Sequence, residues 1–193
     1  MPSLKLEAVN WEKFPIRDRE TGATVPLRTN ACQQKILRAL SKLGDEGKPM
    51  WVSVLKARRI GSSTLGEALL TAHCIAFPNA KAMTVAHRAK NARELFGHAK
   101  TFHRVLQEDL SQEFPATQHE LTFPHLAGAS THTISTAKTI EGARGLTISA
   151  LLASEAAFYE QADTVFTALI STVRYQPNTL VMIESTANGK AGD

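Results

Sequence analysis

Lys56-Ala57-Arg58-Arg59-Ile60-Gly61-Ser62-Ser63-Thr64 is the stretch on which the fold turns. An apolar run, Met50-Trp51-Val52-Ser53-Val54-Leu55, precedes it, and an amphipathic run over 65–77 follows. Strand, tight glycine-containing turn and helix, in that order, make a cradle for an anion, because the loop backbone and the first free amides of the helix converge on one point. The usual phosphate-loop pattern is G-x-x-x-x-G-K-[ST]. Two positions depart from it: no glycine opens the loop, and Ser62 stands where the lysine belongs. Arg58, near the start of the loop, is a candidate for the displaced positive charge. Taken alone, the stretch also reads as a basic surface turn between a strand and a helix.

Outward from the loop, apolar spacing alternates between helix and strand. On the N-terminal side, Asn30 reads as a helix cap, with Cys32, Ile36, Leu40 and Leu43 on one face of the helix that follows. Residues 1–30 carry Pro2, Pro15, Gly22 and Pro26 and read as an extended lead-in. On the C-terminal side come a strand over 80–86, a helix over 89–110, a short strand near 121–123 and a strand over 131–136. A near-continuous apolar run over 146–153 then fits a buried parallel strand, followed by a helix over 163–175 and a last strand over 179–185. The alternation predicts an α/β domain over 31–193, with a mainly parallel, doubly wound sheet flanked by helices. Such sheets bind ligands at the carboxyl ends of their strands. The 56–64 loop, Ser154-Glu155 and the 185–189 segment all fall there.

Composition sets limits. The 193 residues suit one domain with a sizeable core, and the net charge of +4 permits nucleic-acid contact without demanding it. Two cysteines, Cys32 and Cys74, in no C-x-x-C arrangement, argue against a disulfide framework and point to a reducing compartment. Neither a signal peptide nor an apolar run near the ~18 residues of a membrane span is found, so a soluble intracellular protein is expected. His119, His125 and His132 do not have zinc spacing.

Nucleotide hydrolysis needs a phosphate cradle, a Mg2+ site, a group that orients water and positive charge near the γ-phosphate. Gly61 permits close backbone approach, and Ser62, Ser63 and Thr64 open the helix beneath the phosphates. Ser63 occupies the [ST] position and is the expected Mg2+ ligand, with Thr64 as substitute. Glu155 follows the apolar strand directly. A carboxylate there can polarise a water, provided its strand neighbours that of the loop; the plain alternative is a helix-start glutamate favoured by the dipole. The usual pair at this place is Asp-Glu. Ser154 replaces the aspartate, and its hydroxyl can still bond a metal-bound water.

With these segments in order, the chain resembles the ATPase domain (a P-loop NTPase of the ASCE/RecA-like class) of the large terminase subunit, the DNA-packaging motor of tailed phages. Lys56–Thr64 resembles that family's deviant Walker A, and Thr84-Val85-Ala86-His87-Arg88 the segment after its second strand. Leu151-Leu152-Ala153-Ser154-Glu155 resembles Walker B, and Glu184-Ser185-Thr186-Ala187-Asn188-Gly189 the coupling motif. The resemblance implies ATP and Mg2+ as cofactors and DNA translocation into a procapsid. It implies catalytic Glu155, with Arg58 as the loop's early basic residue and Arg144 as an arginine offered to a neighbour's γ-phosphate; Arg144 also reads as a plain turn residue. Nucleotide contacts are implied for Gln33 (Gln34 is a near alternative), Arg58, Arg59, Gly61, Ser62, Ser63, Thr64 and Asn188, and metal contacts for Ser63 and Ser154. Asn188 also fits an ordinary turn before Gly189. Implied partners are double-stranded DNA, the small terminase subunit, the portal protein and further copies in a ring, with a monomer for the isolated domain. The implied location is the host cytoplasm. The family's nuclease domain has no counterpart in these residues, so DNA cleavage is not expected of them. A helicase-like P-loop ATPase and a non-hydrolysing nucleotide- or DNA-binding module are the competing readings.

Overall fold

The computed structural model describes residues 3–18, 20–139, 145 and 147–189. Among them the chain runs β1 (Pro15–Arg17), β2 (Thr24–Pro26), α1 (Ala31–Asp45), β3 (Met50–Leu55), α2 (Ser62–Ala76), β4 (Lys81–Ala86) and α3 (Ala89–Leu110). It continues through β5 (Glu120–Phe123), β6 (Ser130–Thr136), β7 (Ala150–Ser154), α4 (Ala162–Thr172) and β8 (Leu180–Ser185). β1 and β2 form a small antiparallel pair, and the other six strands form one sheet in the order β3-β8-β7-β4-β6-β5. Only the β5–β6 pairing in this sheet is antiparallel. The predicted α/β class and mainly parallel sheet are therefore observed.

The strand order carries one consequence for the site. β8 lies between β3 and β7, so the strand that ends in Glu155 is one removed from the strand that feeds the loop. β7 and β8 read as unbroken apolar runs because both faces of the sheet are covered. Along β7, Ala150 and Leu152 join the core beneath α1, α2 and α3, while Leu151 and Ala153 join the core beneath α4. β8 repeats this, with Leu180 and Met182 on the first face and Val181 on the second.

α2 is buried along most of its length, through Leu65, Ala68, Leu69, Leu70, Ala72 and Cys74. α4 stops at Thr172, short of the predicted 175, because Val173 turns away to bridge Ile148. The segment expected as an extended lead-in folds onto the main core: Leu4, Leu6, Phe14 and Leu27 are buried in it, and the Phe14 ring meets Phe102 edge-on at 5.2 Å. Among the described residues no helix is long and apolar enough to cross a membrane.

Candidate functional site

Side chains two apart on a strand share a face. Met50, Ala150, Leu152, Leu180 and Met182 all belong to the core on the α2 side of the sheet. The same parity, carried to the strand ends, brings Lys56, Ser154 and Glu184 to that side. Register completes the alignment. Ser154 and Val54 both pair with Glu184 across β8, and the Lys56 amide donates to the Ser185 carbonyl at 2.9 Å. Three residues far apart in sequence thus meet beneath the N-terminus of α2.

The loop above them is held by its own backbone and by α1. Gly61 caps α2 in the left-handed region, at φ 76°. A Cβ there would come within 2.9 Å of Gln33 Nε2, so the position is closed to side chains on two counts. Asn30 and Gln33 form a capping box at the start of α1, as the sequence suggested for Asn30. Both then reach the loop: Asn30 Nδ2 donates to the Ile60 carbonyl at 3.1 Å and Gln33 Nε2 to the Gly61 carbonyl at 2.9 Å.

Beneath the loop, the hydroxyls of Ser62 and Ser63 each donate to Glu184, one to each carboxylate oxygen. Ser154 Oγ donates to Glu184 Oε1 at 2.9 Å, and Lys56 Nζ lies 3.7 Å from Glu184 Oε2. Glu184 is fully buried, so these four groups replace the water that a carboxylate otherwise needs.

Glu155 stands at the cavity edge in a left-handed conformation, φ 55° and ψ 46°, which breaks the strand alternation. Lys56 Nζ donates to its Oε1 at 2.9 Å, and Thr186 donates to Oε2 through its amide at 3.1 Å and its hydroxyl at 2.9 Å. Partial burial pushes the Glu155 pKa up, but the hydrogen bonds from Lys56 and Thr186 outweigh it and hold the carboxyl below its usual range. A strained backbone at a charged, multiply bonded residue is a mark of a functional position.

A cavity of about 490 Å3 opens above this floor. Arg58, Arg59, Gly61, Ser62, Ser63, Thr64 and Glu155 line it, as does Lys56, while His87 faces it from the turn before α3 and Asn91 and His98 from α3 itself. Burial and the nearby Arg88 lower the pKa of His87 against an opposing pull from Glu155. The other expected residues lie elsewhere. Gln33 is 3% exposed behind Gly61, and Ser154 is equally buried behind Glu184. Asn188 is exposed and donates to the Ala157 carbonyl at 2.8 Å, outside the lining. Arg144 lies outside the described residues.

Lys56, Glu184 and Thr186 carry much of the site's polar network; in the sequence they fall within the loop and the coupling motif but are given no role of their own. A signal for two of them was present. Glu184 is a charge at the end of the apolar run Leu180-Val181-Met182-Ile183, and Lys56 is the first residue after β3. A buried charge in such a run calls for a partner.

No family model and no curated protein matches the sequence. Among solved structures, the large terminase of bacteriophage HK97 is similar at a TM-score of 0.69 and 18% identity, over 94% of this chain and 37% of that one. The large terminase ATPase domain of Thermus phage P74-26 is similar at a TM-score of 0.58 and 16% identity, over 85% of this chain and 72% of that one. The large terminase of a thermophilic bacteriophage, in complex with ADP, is similar at a TM-score of 0.59 and 10% identity, over 83% of this chain and 39% of that one. The chain has the fold of a large terminase ATPase domain and spans under two fifths of the HK97 protein.

Proposed function

We propose that this chain is an ATP-hydrolysing motor domain of the large terminase kind, coupling hydrolysis to translocation of double-stranded DNA into a procapsid. The observation that carries this reading is one cavity in which the Gly61 turn, the N-terminus of α2 and the Lys56–Glu155 pair converge at the carboxyl ends of parallel strands. Similarity in fold to terminase ATPase domains, one of them solved with ADP, supports it.

In this reading the amides opening α2 receive the β- and γ-phosphates of ATP. Arg58 and Arg59 line the mouth and add positive charge, and Lys56 supplies from the strand end the buried ammonium that Ser62 cannot. Glu155 orients the attacking water. Each of its oxygens already accepts from Lys56 or Thr186, and a carboxylate has lone pairs left for a further donor. Ser63 lines the cavity and its hydroxyl would ligate Mg2+, with Thr64 next to it and Ser154 in the layer below. These oxygen donors suit a hard cation that keeps several waters and is held partly by phosphates. Mg2+ there would neutralise charge on the β- and γ-phosphate oxygens as the γ-phosphoryl is transferred. Gln33 acts on the loop through the Gly61 carbonyl, and Asn188 on the segment after Glu155 through the Ala157 carbonyl. Arg144 is assigned to the site of a neighbouring copy in a ring that also meets DNA, the small terminase subunit and the portal protein in the host cytoplasm, the isolated domain being a monomer.

Phosphate release with Glu155→Gln tests the assignment. A fall in kcat of about 100-fold or more with ATP still bound is expected if Glu155 positions the water. A wild-type rate in that variant would sink the assignment. Tight Mg–ATP binding with no release in the wild type would favour the non-hydrolysing module, for which Ser62 and Ser154 in place of lysine and aspartate already speak.

A further inference from the structure

We infer that Glu184 is the carboxylate of the metal shell, doing from β8 what an aspartate at the tip of β7 would do. This rests on the nucleotide-site reading above. Ser63 has one hydroxyl proton and two lone pairs. Its proton goes to Glu184, which leaves its lone pairs for a cation in the cavity that Ser63 lines. Ser154, where the usual acid would stand, gives its own proton to Glu184 and so supports that carboxylate. Register explains the substitution: Ser154 and Glu184 are direct partners across β7 and β8. β8 also lies one strand nearer the loop than β7. A negative charge moved sideways by one strand thus stays beneath the same serine.

The surroundings argue for a role beyond packing. A fully buried carboxylate closes an otherwise apolar run on β8, and an apolar residue there would be cheaper to bury. Instead three hydroxyls and an ammonium converge on it. Glu184 does not line the cavity and acts through Ser63, so it is a positioning residue for the cation rather than a catalytic one.

Mn2+ serves as the probe, its bound and free fractions read by electron paramagnetic resonance in the presence of ATP. ATP binding in EDTA is measured alongside. Glu184→Gln is expected to weaken Mn2+ binding in the ternary complex by about tenfold or more, the scale on which partners of metal ligands act, while metal-free ATP binding falls far less. Ser154→Ala, which keeps the charge, is expected to lose less than Glu184→Gln. Ser154→Asp combined with Glu184→Gln moves the charge back to β7 and is expected to recover Mn2+ binding. Mn2+ affinity at the wild-type level in Glu184→Gln overturns the proposal, and so does a loss in Ser154→Ala as large as in Glu184→Gln. Should Glu184→Gln fail to give a cooperative melt, Ser154→Ala decides, because a loss there of about tenfold would assign the metal to β7 instead. A wild-type protein that binds no ATP in either condition removes the nucleotide-site reading itself. Binding by the wild type with no effect of Glu184→Gln removes this inference alone.

Discussion

Lys56 holds two carboxylates at once. Its side chain is 7% exposed, with Glu155 at 2.9 Å and Glu184 at 3.7 Å. Removing the ammonium leaves both acids facing each other across a space with little water. Lys56→Met keeps most of the aliphatic stem and isolates that electrostatic effect. It should cost about 2–3 kcal/mol at pH 7, below the range for fully buried pairs because Glu155 retains some solvent. The pH dependence has a definite sign. The folded-state pKa of Glu155 is depressed, so its contribution is present above the ordinary value of 4.5 and lost as the pH falls through the lower folded value. Urea melts of both proteins should therefore converge as the solution is acidified below pH 4.5. A gap of constant size down to strong acid would mean that Lys56 stabilises through packing and not through charge.

At the scale of elements, the site depends on how closely α2 lies on β7. Gly66 on α2 makes that approach possible: a Cβ there would sit 2.8 Å from Leu152 Cδ1 and 2.9 Å from Cδ2, with Leu152 fully buried. Two effects compete in Gly66→Ala. Helix propensity favours alanine by about 1 kcal/mol, while overpacking a filled core costs about 1–3 kcal/mol. Because the Leu152 methyls are fully buried and would have to shift into a filled core, overpacking should win, and chemical denaturation should show a net loss with α2 pushed off β7. A more stable Gly66→Ala protein would show that the interface yields. The elements themselves were largely legible in the sequence. Period and punctuation placed the helices and strands, with α4 ending early only because Val173 pairs with Ile148. Their lateral order was not legible. Nothing local says that β8 enters between β3 and β7, and that insertion is what brings Glu184 under Ser63. The departure at Ser154 was visible in the sequence, whereas the carboxylate beside it became visible only with the register. In the same way the family resemblance marks Gln33 for nucleotide contact, whereas its hydrogen bond to Gly61 is a tertiary fact.

The whole molecule carries buried titratable groups that set how its stability responds to pH. Glu67 on α2 is fully buried, with Thr84 Oγ1 at 2.9 Å from Oε1 and His132 Nε2 at 3.5 Å from Oε2. Burial, with a smaller push from Glu184 and an opposing hydrogen bond from Thr84, raises its pKa to about 8. His132 and His73 are driven the other way by burial, to about 3. Glu67 and His132 together hold one proton near neutrality whichever of them carries it, whereas the unfolded chain holds none there once the pH exceeds 6.5. The signs follow. The raised pKa of Glu67 gives stability that is complete below 4.5 and lost as the pH climbs through 8. The lowered values of the two histidines give stability present above 6.5 and lost as the pH falls toward 3. Each group changes stability by about 1.4 kcal/mol per pH unit while its folded and unfolded states differ by one proton. Between 4.5 and 6.5 the terms of His73 and His132, joined by terms of the same sign from His87 and His103, rise against one falling glutamate term, and above 6.5 only the fall remains. Stability should thus peak near pH 6.5 and decline on both sides. Glu67→Gln, which keeps the shape and cannot ionise, should flatten the alkaline limb and steepen the acid limb between 4.5 and 6.5, where the histidine terms then rise unopposed. Denaturant midpoints of the wild type that stay level between pH 6.5 and 8 would mean that Glu67 is already charged in the folded protein, with water or a cation reaching it from the site above.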